Sequence, residues 1–414
     1  MVDAPGFAFV RFDLVPAASA ATEPTPLALD LTPRAELLRL SNEHLQVVVD
    51  EQTSAISSIV ELATGRELVN RQSVAGFNAY IYDQYGSSGA GFNHLANKLS
   101  VSDRLELLAT RTLARSALLI ERTEDAVEQR LVYEYAASGV DFVQVTLRLR
   151  HGEPRFLIEN RISKSATRTK ESAFFAFPFA AENPSMRFEV SGGVTGDGLP
   201  HIPGAPQHMR AVRNWVSIED GPDAIVWATQ DAPLVEPHTI AVPYAPFPAS
   251  TSPAEGGTIF SWVHNNIWDT NFPIEQGFEA TFSYAVGVRA QPDESIESLA
   301  IATAADLVHP LRSVRARGEQ GTSRADTSAS MLTLDDERVQ LVSVVTGGEP
   351  GTSIVRLPSF ASEPVTAHLT VAMDLSAAHR ATYLGDLGQD LTIVERTVEV
   401  PLEPFEVAAV HVAY

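Results

Sequence analysis

The sequence predicts a mainly β protein in which a large antiparallel β-sandwich is followed by a smaller one. Short apolar and β-branched runs recur from Glu36 onward, and turn residues such as Thr64-Gly65-Arg66 separate them. Phe278–Val288 alternates apolar and polar residues with period two, which is typical of a half-buried strand. The strand pattern resumes after the polar stretch Arg312–Ser330. Many short, evenly spaced strands favour sandwiches over helical or α/β architectures.

The strands of the large sandwich follow one another closely along the chain. A short strand at Phe7–Leu14 precedes an Ala-, Pro- and Thr-rich connector at Pro16–Thr32. Leu105–Arg122 predicts a hairpin. Long loops are expected at Gly86–Asn97, Gly192–His208 and Pro233–Pro253. Further strands are predicted at Leu37–Leu40, Leu45–Val49, Ala55–Leu62, Glu67–Val69, Phe77–Tyr82, Val127–Tyr135, Asp141–Arg150, Arg155–Ile162, Ala173–Phe179, Met186–Val190, Val212–Glu219, Ala224–Thr229, Gly257–Val263 and Phe278–Val288.

A single helix is predicted after these strands. Its apolar stripe is Ile296, Leu299, Ala300 and Ala304, and it ends before His309-Pro310. Asp293 is the expected N-cap. Strands of the small sandwich are predicted at Val339–Val345, Thr352–Leu357, Val365–Met373, Ala381–Leu384, Thr397–Pro401 and Phe405–Ala413.

These elements suggest four regions. Residues 1–34 are a strand and connector left from an upstream region, because an isolated strand needs a sheet to join. Residues 35–312 form the large sandwich, 313–330 a linker or long loop, and 331–414 the small sandwich.

Composition and charge exclude several classes of function. The net charge of −22, with few clustered basic residues, argues against nucleic acid and membranes as partners. The chain contains no Cys, which excludes disulfides and thiol nucleophiles. No signal peptide precedes Phe7 and no apolar run approaches the ~18 residues of a membrane-spanning helix, so a cytoplasmic location is expected. High Ala content with only three Lys suggests a bacterial source.

The strongest candidate for a functional site is the stretch Ser261–Phe272. It combines two Trp, three Asn, one His and one Asp, and it falls where one predicted strand ends before another begins. Indole faces and amides suit the apolar patches and hydroxyls of a sugar. The candidate sugar-binding residues are Asn265, Asn266, Trp268, Asp269 and Asn271. The structural alternative is that Trp262 and Trp268 anchor the core while the Asn residues build turns.

Other catalytic patterns are weak. The scattered His residues give no metal-ligand spacing, and neither a nucleophile elbow nor a phosphate-binding loop is present. Loop carboxylates could act in pairs across a sugar, but their spacing does not show that any two converge; they are Asp83, Glu171, Asp197, Glu219, Asp220 and Asp269. The pair Lys170-Glu171, entering an aromatic run, is either a buried structural ion pair or a ligand contact.

Several segments in the same order resemble the C-terminal β region of glycoside hydrolase family 38 α-mannosidases. These segments are Leu40–Leu45, Ile56–Ile59, Gly65–Leu68, Asn160–Lys164, Thr169–Phe179, Asn265–Phe272, Gln276-Gly277, Phe282–Tyr284 and Pro404–Val407. The resemblance implies a β-supersandwich similar to galactose mutarotase, followed by a small β-domain. It also implies that the zinc ligands and the nucleophile lie in an upstream catalytic domain that this chain lacks.

The resemblance implies a non-catalytic role, in which the chain helps to shape the site for a mannose-containing glycan beside that upstream catalytic domain. No cofactor is expected in this chain itself, and whether it acts as an enzyme stays open. One alternative is a stand-alone carbohydrate-binding module with a groove lined by Trp268, Tyr80 or Tyr82. Others are a mutarotase-type sugar epimerase, which needs a His and a Glu on one sheet face, and a pure scaffold.

Overall fold

The structure is a computed structural model that describes residues 8–10, 38–85, 110–199, 201–241, 256–267, 273, 275–289, 293–310 and 328–414. Within these ranges the chain forms antiparallel strands and one helix, which confirms the predicted mainly β fold. None of the helices in the described part of the chain has the length and apolar character needed to cross a membrane.

The elements of the described ranges are β1 (Ala8–Val10), β2 (Arg39–Ser41), β3 (Leu45–Val49), β4 (Ile56–Glu61), β5 (Arg66–Glu67), β6 (Ala79–Gln84), β7 (Thr110–Leu113), β8 (Leu118–Glu124), β9 (Glu128–Tyr135), β10 (Phe142–Arg150), β11 (Arg155–Lys164), β12 (Glu171–Phe179), β13 (Ser185–Val190), β14 (Gly193–Gly196), β15 (Arg210–Ala211), β16 (Trp215–Asp220), β17 (Asp223–Thr229), β18 (Leu234–Pro237), β19 (Gly257–Asn265), β20 (Phe278–Val288), α1 (Ile296–Val308), β21 (Ser328–Ser330), β22 (Leu332–Leu334), β23 (Ser343–Thr346), β24 (Thr352–Pro358), β25 (Val365–Val371), β26 (Ala377–Ala381), β27 (Leu387–Asp390), β28 (Ile393–Val394), β29 (Thr397–Leu402) and β30 (Val407–Ala413).

Three sheets build the large sandwich. The nine-stranded sheet has the order β14-β13-β16-β17-β20-β11-β10-β9-β8, and the six-stranded sheet has the order β15-β18-β19-β12-β6-β7. A four-stranded sheet, β2-β3-β4-β5, is the third sheet of the large sandwich. Buried side chains of all three sheets meet in one apolar core. Burial of this continuous apolar surface is the main source of stability for the sandwich.

Strand β12 lies in the middle of the six-stranded sheet and is buried along its whole length. Its alternate residues Phe175, Phe177 and Phe179 face the common core, whereas Phe174 and Ala176 face the opposite side of the sheet. A strand covered on both faces is apolar at consecutive positions, which explains the aromatic run in the sequence.

Helix α1 covers the outer face of the nine-stranded sheet. Its predicted stripe is confirmed, because Ile296, Leu299, Ala300 and Ala304 are all buried against residues of β16, β17 and β20. The close approach needs a glycine, since a Cβ on Gly287 would lie 2.3 Å from Oγ1 of Thr303.

The predicted N-cap of this helix is wrong. Ser295, and not Asp293, is the N-cap, and its Oγ accepts a hydrogen bond from the backbone N–H of Ser298 at 3.0 Å. Both residue types cap helices well, so the sequence alone does not choose between them.

The small sandwich has its own apolar core between a four-stranded sheet, β22-β25-β29-β28, and a five-stranded sheet, β23-β24-β30-β26-β27. The predicted strand Ala381–Leu384 is wrong, because the chain turns there. Gly385 adopts φ +101° and donates its N–H to the carbonyl of Thr382, and this turn separates β26 from β27.

Three further predictions need correction. Leu105–Arg122 is not a hairpin, since β7 pairs with β6 whereas β8 pairs with β9 in the other sheet. Ser116, at φ +69°, redirects the chain between the two sheets. The stretch Gly192–His208 is also not entirely a loop, because it contributes the edge strand β14. The predicted loop Pro233–Pro253 likewise contributes a strand, β18, which pairs with β19.

Strand β1 pairs antiparallel with β21, with Ala8 opposite Ser330. Strand β1 lies within the predicted strand Phe7–Leu14, whereas β21 lies in the segment expected as a linker or long loop. The backbones of the two segments therefore pair with each other as adjacent strands.

Candidate functional site

The described part of the predicted sugar-binding stretch lies at the end of β19. Asn265 is exposed and pairs in register with Ser172 of β12. Asn266 is half-buried and donates its Nδ2 to the carbonyls of Thr167 at 3.0 Å and Thr169 at 3.1 Å. The side chain of Asn266 therefore braces the loop before β12. Trp268, Asp269 and Asn271 lie outside the described residues.

Strand alternation decides which side chains of β6 can reach a ligand. Tyr80 and Tyr82 are 1% and 6% exposed and belong to the common core, so they do not line a groove as one alternative required. Ile81 and Asp83 point to the opposite, outer face of the six-stranded sheet, because successive side chains of a strand alternate.

A group of polar side chains, here called the outer-face cluster, lies on that outer face: Asp83, Tyr85, Arg111, Ser172 and Glu236. Nε and Nη2 of Arg111 donate to the two carboxylate oxygens of Asp83 at 2.8 and 2.7 Å. A planar guanidinium that engages both oxygens in this way fixes the orientation of the carboxylate. Tyr85 and Ser172 lie next to each other beside this pair.

Glu236 is the most perturbed member of the cluster. Its side chain is 1% exposed, and burial raises its pKa to about 8, although the backbone N–H of Ala241 and the charge of Arg111 act in the opposite direction. Glu236 is therefore mostly protonated near neutral pH, whereas Asp83 is held as the partner of a cation. A neutral carboxyl can donate a hydrogen bond, and an ionised one only accepts.

An aromatic floor lies beside the cluster. The rings of Phe174 and Trp262 are stacked, with centroids 5.8 Å apart and planes inclined by 18°. Trp262 is 9% exposed, and its Nε1 has no hydrogen-bond partner among the described residues. Phe174 is 1% exposed, so of this stack Trp262 is the ring with surface at the outer face. An aromatic ring beside hydrogen-bonding carboxyl and guanidinium groups is a combination that recognises sugars, whose rings have apolar faces and hydroxyl edges.

A second group, the inter-sheet cluster, lies on the core side of the same strands. Nζ of Lys164, at the end of β11, pairs with Oε1 of Glu171 at 2.6 Å, and both side chains are almost fully buried. The hydroxyl of Tyr82 donates to Oε2 of Glu171 at 2.7 Å. This ion pair joins the nine-stranded sheet to the six-stranded sheet, so the partner of Glu171 is Lys164 and not its sequence neighbour Lys170.

His264 extends the inter-sheet cluster. Its Nε2 and the hydroxyl of Tyr80 share a hydrogen bond of 3.1 Å. Burial, together with the positive charge of Lys164, lowers the pKa of His264 to about 3, so the ring is neutral. His264 shares the core-side face of the six-stranded sheet with Glu171 and not with Glu236. His264 and Glu171 are 9% and 1% exposed, so this His and Glu on one sheet face are buried among the described residues.

The remaining predicted carboxylates that the structure describes have structural partners. Asp197 accepts a hydrogen bond from the N–H of Met186, Asp220 accepts one from Glu182, and Glu219 pairs with Arg187. No group of three or more His, Asp or Glu side chains in the described ranges could hold a metal ion. The described residues therefore do not fit a zinc site.

Sequence reasoning included Asp83 but missed Tyr85, Arg111 and Glu236. Arg111 lies directly opposite Asp83 on β7, and Glu236 lies on β18, on the far side of β19 and β12. A period-two reading of Ile81, Asp83 and Tyr85 would have separated these residues from Tyr80 and Tyr82. The cross-strand partners follow only from the topology.

Replacing Glu236 by Gln should remove one pH-dependent contribution to stability. A carboxyl whose folded-state pKa is raised contributes stability that is complete below about pH 4.5 and is lost as the pH rises through about 8. His264, whose pKa burial lowers to about 3, acts in the opposite direction below about pH 6.5 in both proteins. The free energy of unfolding of the wild type, relative to that of Glu236→Gln, should therefore fall over this window. Urea unfolding of both proteins at pH 5, 6.5 and 8 measures these free energies of unfolding.

Glu189 has a pKa that burial raises to about 7, so part of the slope should remain in Glu236→Gln. Exposed Glu349 supplies the control, and Glu349→Gln should retain the wild-type slope. Equal slopes for the wild type and Glu236→Gln would contradict the assignment.

A family model matches part of the chain. Residues 40–197, which include Asp83, Arg111, Lys164 and Glu171, match the family model described as the glycosyl hydrolases family 38 C-terminal domain. A search of curated proteins gives no significant match.

Two solved structures with TM-scores above 0.6 show the same fold at low sequence identity. An alpha-mannosidase from Enterococcus faecalis V583 is 13% identical and has a TM-score of 0.62, covering 92% of this chain and 42% of that one. A family 38 glycosyl hydrolase protein from Enterococcus faecalis is 12% identical with a TM-score of 0.63, covering 92% and 44%. A galactose mutarotase-like protein from Lactobacillus casei ATCC 334 aligns at 12% identity with a TM-score of 0.34, covering 61% and 99%.

The chain thus spans less than half the length of the two Enterococcus faecalis proteins. Their β portions and this chain share one fold, and the resemblance read from the sequence is confirmed: residues 40–197 match a glycosyl hydrolases family 38 C-terminal domain.

Proposed function

We propose that this chain serves as the non-catalytic β-sandwich portion of an alpha-mannosidase, where it helps to shape the site for a mannose-containing glycan. The zinc-dependent catalysis belongs to a separate catalytic domain, which is the partner of this chain. The family match over residues 40–197 supports the family, and the alpha-mannosidase neighbours support the reaction class.

The observation that carries the proposal is the outer-face cluster beside the Phe174–Trp262 stack. Arg111 is 45% exposed while its partner Asp83 is 2% exposed, so a ligand meets a guanidinium that is already held in place. Held donors lose little conformational entropy when they bind. Asn265 pairs with Ser172 on the same strand ends. Trp268, Asp269 and Asn271 follow Asn265 in the sequence and remain candidate sugar contacts.

Two measurements test the proposal. The purified chain, supplied with zinc, should release no aglycone from 4-nitrophenyl α-mannoside, and release should appear when a family 38 catalytic region is added. Release by the chain alone that a chelator abolishes would overturn the non-catalytic role.

The second measurement locates the sugar contact. Mannobiose binding, followed by saturation-transfer NMR, should weaken about tenfold or more in Arg111→Gln, because a guanidinium hydrogen bond is lost. Arg161→Gln is the matched control, since Arg161 is 44% exposed and pairs with Glu279 on another sheet. Absent binding, or binding that Arg111→Gln leaves unchanged, would contradict this location.

A further inference from the structure

A cleft of about 840 Å³ lies against the four-stranded sheet β2-β3-β4-β5, the first sheet of the large sandwich in chain order. Its floor is the outer face of the sheet β2-β3-β4-β5, where Gln46 and Val48 point outward because Leu45, Val47 and Val49 point into the core. The loop Asn70–Gly76 forms one wall, and the segment that ends at Arg115 forms another. We call this feature the arginine cleft.

Two arginines distinguish the cleft. Arg39 and Arg115 both line it, both are exposed, and neither guanidinium has a hydrogen bond or an ion pair with the described residues. Every other arginine in the described ranges has at least one such partner. The chain has a net charge of −22, so carboxylates that could pair with arginine are abundant. Two arginines that line one cleft without such a partner among the described residues are therefore unusual.

The other charged groups of the cleft are already used by the fold. Oδ1 of Asp50 accepts the backbone N–H groups of Gln52 at 2.7 Å and Thr53 at 3.0 Å. Arg71 pairs with Glu67. Asp50 is thus the one carboxylate among the described lining residues, and it forms no ion pair with Arg39 or Arg115.

The backbone holds Arg115 at the rim. Its neighbour Ser116 adopts φ +69°, and the N–H groups of Ser116 and Ala117 donate to the carbonyls of Gln52 at 3.0 Å and Glu51 at 2.8 Å. A non-glycine residue with positive φ costs free energy, which these tertiary hydrogen bonds offset. Arg115 is thus presented by a fixed turn, and Arg39 by strand β2.

We propose that the arginine cleft binds a sugar that carries an oxyanion, namely a carboxylate, sulfate or phosphate group. Arg39 and Arg115 pair with the oxyanion, because the planar guanidinium fork matches its oxygens. The amide of Gln46 and the apolar surfaces of Val48 and Val60 contact the ring. The floor of this site is a different sheet from that of the outer-face cluster, although Ala79 of β6 and Leu113 of β7 also line the cleft. The proposal does not depend on the function proposed for that cluster.

Calorimetric titration tests the proposal with glucuronate, glucose 6-sulfate and glucose 6-phosphate, and with glucose and sodium sulfate as references. At least one charged sugar should bind tenfold or more tightly than either reference. Arg39→Gln and Arg115→Gln should each weaken that binding tenfold or more, and added salt should weaken it in the wild type.

Arg396→Gln is the matched control, because Arg396 is 55% exposed and pairs with Asp374 in the small sandwich, and it should bind as the wild type does. Both cleft variants should keep the wild-type melting temperature, since neither side chain has a partner to lose. Binding of no charged sugar, equal binding of glucose or of sulfate alone, or binding that survives both cleft substitutions would overturn the proposal.

Discussion

Lys164→Met should destabilise the protein by about 3 to 5 kcal/mol. The substitution leaves the carboxylate of Glu171, which is 1% exposed, with the hydroxyl of Tyr82 as its hydrogen-bond donor and without its cation. A buried charge that loses its partner bears the full cost of its removal from water. Urea unfolding followed by Trp fluorescence measures the change.

The double variant Lys164→Met with Glu171→Gln supplies the critical comparison. A neutral amide can still accept the hydrogen bond from Tyr82, so the double variant should recover most of the lost stability. Arg168→Met, which breaks the exposed pair with Glu275, should change stability by less than about 1 kcal/mol. A double variant as unstable as Lys164→Met would show that the cost is not electrostatic.

Phe177→Ala should also cost about 3 to 5 kcal/mol. Phe177 is fully buried, and its ring lies 4.9 Å from Tyr284, 5.3 Å from Trp227 and 5.4 Å from Phe77, measured between centroids. These rings belong to different strands of the common core, so the remaining cavity cannot close by moving one side chain. Chemical denaturation at constant pH measures the loss.

Phe142 provides the matched control, because it is half-buried and contacts Arg161 near the surface. Phe142→Ala should cost about 1 kcal/mol or less. If Phe177→Ala were no more destabilising than Phe142→Ala, the two sheets would not share a tightly packed core.

The sequence was informative where one face of a strand is buried. Phe278–Val288 was predicted with its observed bounds, because its alternation follows directly from the two faces of β20. Leu105–Arg122 failed because the chain changes sheet at Ser116, and local propensity does not encode which sheet receives a strand. The apolar stripe of α1 was predicted correctly because one face of the helix is buried, as is one face of β20. The N-cap was predicted wrongly because Asp293 and Ser295 are both suitable residue types, and the choice depends on how the chain enters α1.

The sites were harder to predict than the fold, because their members come together only through pairing. Glu171 was singled out correctly as unusual, but Lys170 could not be its partner. Neighbouring residues of an extended chain point in opposite directions, and the partner came from the other sheet. Arg111 and Glu236 carried no local signal, since each matters only beside Asp83.

The pairing of β1 with β21 sets an order of events during synthesis. Ala8 and Ser330 are more than three hundred residues apart, and a ribosome adds about 5 to 20 residues per second. Strand β1 therefore leaves the ribosome before the other described strands but waits about 15 to 60 seconds for its partner. By then the strands of the large sandwich have been made, so β1 joins its sheet only after strands that follow it in the sequence.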